Sequence, residues 1–167
     1  MDKRSETRYY LAYGSNLNIV QMQHRCPDAH VVGTAELPGW RLMFKGSRSG
    51  NYLTIERAEG YTVPVAVWAV SERDERNLDR YEGFPTFYYK KELSVTMSES
   101  NSGKTRPVNA FVYIMHEERK LGCPAQEYVE RCAEGYQAFG FDLAFLNEAY
   151  EFSCRGISFH HNMSVLV

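Results

Sequence analysis

The alternation of apolar and polar positions changes character several times along the chain, and each change marks an element. Arg8-Tyr9-Tyr10-Leu11-Ala12-Tyr13 is aromatic and apolar over strand length and runs straight into Gly14-Ser15-Asn16. That pattern predicts a strand followed by a tight loop. Residues 17–25 carry Leu17, Val20 and Met22 without a strong period and end at Cys26-Pro27-Asp28. A short helix is predicted there, stopping before the proline. Between 29 and 70 the signals are for strands at 31–37, 40–44, 52–55 and 63–70, punctuated by Pro38-Gly39, by residues 46–51 and by Glu59-Gly60. These turn-forming compositions predict a contiguous antiparallel or mixed sheet. Residues 63–70 are apolar on both faces, as in a central strand covered on two sides.

Ser71 and Asp74 have the spacing of a capping box, with Asp in the usual Glu position. The helix they open runs through Leu78 and Tyr81 and is ended by Gly83, because glycine accepts the left-handed conformation after a last turn. Glu82 is thereby placed at the helix C-terminus. Residues 88–97 and 108–115 read as two further strands. The Ser, Asn, Gly and Lys of residues 98–105 between them need no fixed structure and are expected to form a mobile hairpin loop. Residues 124–150 are helical in character: Tyr128, Cys132, Tyr136 and Phe139 recur at three and four residues, and Asp142 is placed to cap a second segment. No internal repeat or second domain is visible. The chain reads as a single domain over 1–167 with its core at about 8–150 and an unassigned tail at 153–167.

Composition narrows the function classes. A length of 167 residues with 44% hydrophobic content suits one domain with a real core. A formal net charge of −2 and the lack of a dense Lys/Arg run argue against nucleic acid as a partner. The sequence from Met1 to Thr7 lacks the apolar run of a signal peptide, and no stretch has the roughly 18 apolar residues of a membrane span. A soluble cytoplasmic protein without a membrane partner is expected. Cys26, Cys123, Cys132 and Cys154 fit neither CxxC spacing nor a dense disulfide framework, so free thiols are expected. His160 and His161 have no Cys or carboxylate at ligand spacing, so no metal site is expected. The tail from Ile157 has enough apolar residues to add a strand to its own sheet or a neighbour's.

Two features carry candidate chemistry. A strand that delivers the chain into Gly14-Ser15-Asn16 and a helix start can cradle an anion or carbonyl, since glycine allows close backbone approach and the first N–H groups point outward. The same pattern also suits an ordinary turn in which Asn16 or Asn18 merely caps. Glu82, at the negative end of a helix, is expected to have its pKa raised toward an acid/base range, although a solvated surface glutamate has the same local sequence. Tyr88, Tyr89 and Tyr113 could supply hydroxyls to a pocket, against a default of packing for any of the 12 tyrosines.

Tyr13-Gly14-Ser15-Asn16-Leu17, followed about 65 residues on by Leu78-Asp79-Arg80-Tyr81-Glu82-Gly83-Phe84-Pro85 and then Tyr88-Tyr89-Lys90, resembles the gamma-glutamyl cyclotransferase superfamily, also called AIG2-like. Pro38 to Phe44 and Ala110 to Tyr113 are similar to that family's strands. The resemblance spans about 9–150. It implies an α+β fold, a compact mixed β-barrel flanked by helices, with a pocket between the loop and the glutamate. It further implies cyclisation of a small-molecule gamma-glutamyl amide to 5-oxoproline with release of an amine or amino acid, and no cofactor or metal. Carried over to this sequence, Glu82 is the catalytic acid/base. Tyr13, Gly14, Ser15, Asn16 and Leu17 bind the gamma-glutamyl group, and Tyr88 and Tyr113 orient it. The loop is similar to that of members acting on gamma-glutamyl amino acids and differs from the glutathione-specific branch, whereas the segment from Glu82 to Lys90 also resembles members that release a larger amine. A cyclotransferase-like domain kept as a non-catalytic small-molecule or partner-binding module is the competing reading.

Overall fold

The computed structural model describes residues 7–155. The expected tail strand and the His160 and His161 pair lie outside the described residues. Five strands close a barrel: β1 (Arg8–Ala12), β2 (His30–Ser47), β3 (Gly50–Val70), β4 (Tyr88–Glu99) and β5 (Thr105–Met115). They run in the order β3-β1-β5-β4-β2, and β2 pairs back onto β3. The two-residue β6 (Lys120–Leu121) adds to β2 beside Lys45 and Gly46. β1 is parallel to β5, and every other pairing is antiparallel. With α1 (Ile19–Arg25), α2 (Glu72–Glu82), α3 (Gln126–Phe139) and α4 (Ala144–Cys154), this is the α+β mixed barrel that the resemblance implied.

The four short strands expected between 29 and 70 are two long ones. Pro38 pairs with Thr62 and Trp40 with Arg57, so the two turn-like dipeptides face each other across one hairpin, with Gly39 at φ 82° and Gly60 at φ 86°. Breakers at matched register bend both strands together and do not end them, which curls the hairpin around the barrel. Beyond the bend, residues 63–70 are buried throughout, lodged between β1 and β2 as the two-faced apolar pattern predicts.

The expected hairpin loop at 98–105 is present and shorter. β4 continues to Glu99, whose N–H donates to the Lys104 carbonyl at 2.8 Å, while Ser100 N–H reaches Val32 O at 3.0 Å. Backbone bonds to β2 hold a composition that by itself specifies nothing. The cysteine expectation is half corrected: Cys123 and Cys154 form a disulfide across 31 residues, and Cys26 and Cys132 are free and buried. α4 lies against β2, where Ser153 Oγ accepts the Phe44 N–H at 2.8 Å. Its last turn therefore reaches the chain leaving β6, a proximity that residue spacing does not encode. Among the described residues, no helix is long and apolar enough to cross a membrane.

α3 seats on the loop that follows β1. A Cβ at Gly135 would stand 2.5 Å from Leu17 Cβ, 2.7 Å from the Leu17 carbonyl carbon and 2.9 Å from Asn18 N. Tyr136, fully buried beside it, donates its hydroxyl to Tyr13 O at 3.0 Å. Contact with backbone leaves no flexible neighbour to yield. Gly135→Ala is expected to lower stability by about 1–3 kcal/mol through overpacking, read as an earlier urea midpoint at unchanged slope. An unshifted midpoint would show that the helix is not seated on this loop.

Candidate active site

β1 brings Tyr10 into the barrel and releases the chain at Tyr13. Residues Ser15–Leu17 then make one 3-10 turn, closed by Leu17 N–H to Gly14 O and Asn18 N–H to Ser15 O, both at 3.0 Å. The Ser15 and Asn16 amides precede the first closed ring, so the turn does not use them. Asn18 caps α1 by accepting Gln21 N–H at 3.2 Å, which leaves Asn16 for another purpose. Arg25 Nη1, a donor only, bonds Asn16 Oδ1 at 2.5 Å and thereby fixes the orientation of that amide. Asn16 Nδ2 consequently faces the Tyr10 hydroxyl at 2.8 Å and Glu82 Oε1 at 3.3 Å.

Glu82 arrives from the opposite side. The Ser71 and Asp74 capping box opens α2, and Gly83 at φ 64°, ψ 38° closes it, so the last helical residue is Glu82. A cavity of about 340 Å³ lies between the loop and this helix end, near the lower bound of the roughly 300–1,000 Å³ usual for small-molecule sites. Tyr13, Gly14, Ser15, Asn16, Glu82, Tyr88 and Tyr113 all line it. Leu17 does not: its side chain is fully buried in the core, and its N–H is held by Gly14. Tyr89 also turns elsewhere, donating its hydroxyl to Glu117.

Burial pushes the Glu82 carboxyl from its ordinary 4.5 up to about 7, with the Arg25 guanidinium pulling the other way. Desolvation, not the helix end invoked from sequence, is the leading cause. Glu82 keeps some accessible surface as a cavity wall, but that surface faces a narrow aromatic space. The hydroxyls around it stay protonated, since burial pushes Tyr10, Tyr13, Tyr88 and Tyr113 well up. Tyr13 donates to Tyr113 O at 2.7 Å, Tyr88 to Leu53 O at 2.8 Å and Tyr113 to Asp79 Oδ1 at 2.6 Å. Cys26 and Cys132 are pushed up to about 12 by burial and are poor nucleophiles. Among the described residues no group of three His, Cys, Asp or Glu could hold a metal ion.

Sequence reasoning did not single out Tyr10, Tyr52, Tyr81 or Tyr128 as cavity walls, nor Arg25 behind Asn16. Nothing local separates these tyrosines from the other eight. Arg25 is recognisable only once the short helix is known to fold back on the loop, where the guanidinium also stacks 3.5 Å over the Tyr81 ring.

The sequence profile described as "Gamma-glutamyl cyclotransferase, AIG2-like" matches residues 10–132. The chain belongs to this family. No curated protein matches the sequence. A solved structure described as "Gamma-glutamyl cyclotransferase" is 25% identical, with a TM-score of 0.73 over 86% of each chain. An uncharacterized protein from Homo sapiens is 22% identical with a TM-score of 0.71 over 96% of each chain. YkqA from Bacillus subtilis is 18% identical with a TM-score of 0.73 over 92% of this chain and 56% of that one. The last two share the cyclotransferase fold.

The raised carboxyl of this cyclotransferase-like site has a consequence for stability. Between pH 4.5 and about 7 the folded protein retains a proton at Glu82 that the unfolded chain releases, so this group lowers stability as pH rises. The full cost is present above pH 7. Glu82→Gln is therefore expected to be more stable than the parent at pH 8, by up to about 3 kcal/mol, with the difference closing toward pH 4.5. Chemical unfolding of both proteins at the two pH values measures it, and a constant difference would refute the desolvation argument.

Proposed function

We propose that the chain cyclises a gamma-glutamyl amide to 5-oxoproline and releases the attached amine or amino acid. One observation carries the reading: a single desolvated carboxyl with a pKa of about 7 faces the Gly14–Asn16 turn across a cavity sized for a small molecule. Family membership and the 25% identical cyclotransferase structure support it.

In such a substrate the α-amine is the nucleophile and is already tethered to the amide carbon, so holding it in attack geometry supplies much of the acceleration. Glu82 as carboxylate takes a proton from the α-ammonium. The freed amine closes the five-membered ring, and the Ser15 and Asn16 amides meet the oxyanion of the tetrahedral intermediate. Glu82 then returns a proton to the departing nitrogen, which leaves as the C–N bond breaks, and the regenerated carboxylate takes the second proton from the ring nitrogen and passes it to the released amine, giving the neutral lactam. A group that both takes and gives a proton near neutral pH works best with a pKa near 7. Gly14 lets the turn lie close to Leu53, at 3.3 Å from its own would-be Cβ, and Leu17 serves by packing under α3.

The test is 5-oxoproline formation from a panel of gamma-glutamyl amino acids and gamma-glutamyl amines. The parent is expected to turn over at least one member, with kcat/KM rising with pH and levelling above about 7. Glu82→Gln is expected to lose roughly 10²–10⁴-fold in rate. Absence of product from every amide would defeat the proposal and favour a binding module, and full activity in Glu82→Gln would defeat the acid/base role of Glu82.

A further inference from the structure

The hydrogen bonds behind the cavity wall determine which way each hydroxyl facing Glu82 is polarised. Asp79 lies one turn before Glu82 on α2 and pairs with the Lys90 ammonium at 3.0 Å. Lys90 is held in turn by Glu75 at 2.7 Å, and Glu75 by Arg8 at 2.8 Å. A carboxylate paired with an ammonium only accepts hydrogen bonds. Tyr113 must therefore direct its hydroxyl hydrogen at Asp79, 2.6 Å away, and its oxygen can offer the cavity nothing but lone pairs. Tyr88 is in the same position, because its hydrogen goes to the Leu53 carbonyl at 2.8 Å. Tyr10 is the contrast: it receives a bond from Asn16 Nδ2, and no acceptor for its own hydrogen is seen among the described residues.

Around Glu82 the wall thus presents phenol oxygens as acceptors beside a carboxylate, while donors lie on the Ser15 and Asn16 side. A group with three N–H donors and a positive charge fits the first set. Resting on the cyclotransferase reading above, we propose that Asp79 is a positioning residue: by taking the Tyr113 hydrogen it makes Tyr113 an acceptor, and Tyr113, Tyr88 and Glu82 together receive the α-ammonium of the gamma-glutamyl substrate. Recognition then demands a free α-amine, the same nitrogen that attacks. An N-acylated or deaminated gamma-amide loses these contacts before chemistry begins.

Asp79→Asn distinguishes this role from a merely structural one. The asparagine can turn its NH₂ toward Tyr113, which frees the phenol hydrogen to point into the cavity against the ammonium. KM for the best gamma-glutamyl amide should rise about 10- to 100-fold, the range for a hydrogen bond to a charged group. The inhibition constant of the matching glutaric acid monoamide, which lacks the α-amine, should stay within about twofold of the parent's, since an ammonium receptor is irrelevant to it. If Asp79 acts through Tyr113, the double variant Asp79→Asn/Tyr113→Phe should bind substrate no worse than Tyr113→Phe alone. An unchanged KM in Asp79→Asn, equal losses for substrate and glutaric monoamide, or additive effects in the double variant would each overturn the assignment while leaving the cyclotransferase reading intact. A parent protein silent toward every gamma-glutamyl amide would remove both.

Discussion

The site depends on a match of lengths between β1 and α2. β3 ends at Val70 opposite Arg8, and α2 starts two residues later, so strand and helix set out from the same end of the barrel. Five strand residues and eleven helical residues each span about 16 Å. Arg8 accordingly meets Glu75 near the helix start, and Asn16 meets Glu82 at its end. β1 is clasped between β3 and β5, with Tyr10 opposite both Trp68 and Phe111, so it cannot slide without breaking the pairing on both sides. The loop and the glutamate are brought together by that frame.

Within the frame, one carboxyl is surrounded by aromatic rings, and the cation that pulls its pKa down is held at one remove. Arg25 is occupied by Asn16, Gln21 and the Tyr81 ring, so it biases Glu82 without forming a direct ion pair. A direct pair would have pulled the carboxyl down toward a structural salt bridge. Interposing a neutral amide leaves desolvation dominant and the group titrating near neutrality. Strain of this kind is tolerable because the barrel around it is deeply buried, from Leu11 and Val67 to Ile114.

Local chemistry was readable wherever it acts over a few residues. The capping box at Ser71 and Asp74, the left-handed Gly83 and the strand leading into Gly14 all depend on neighbours in sequence. Pro38 and Gly39 read as a turn between two strands and are instead a bend within one, because their meaning depends on Gly60, more than twenty residues later, sitting across from them. The hairpin at residues 98–105 is where it was expected, but its shorter turn was not legible, since it is held in part by Val32 on another strand. The Cys123 and Cys154 disulfide exists because α4 returns along β2, which cysteine spacing cannot express.

By itself the sequence determined the order of elements, the place of Glu82 at a helix end and the presence of a glycine turn after the first strand. It also contained two motifs whose pairing names the family, because each depends on contiguous residues. Only the tertiary structure decided what surrounds Glu82. Its pKa follows from burial among Tyr10, Tyr13, Tyr88 and Tyr113, drawn from three separate strands or their ends, and from Arg25 acting through Asn16. Desolvation and hydroxyl polarity are properties of a closed space, and no space exists until β2 closes back on β3.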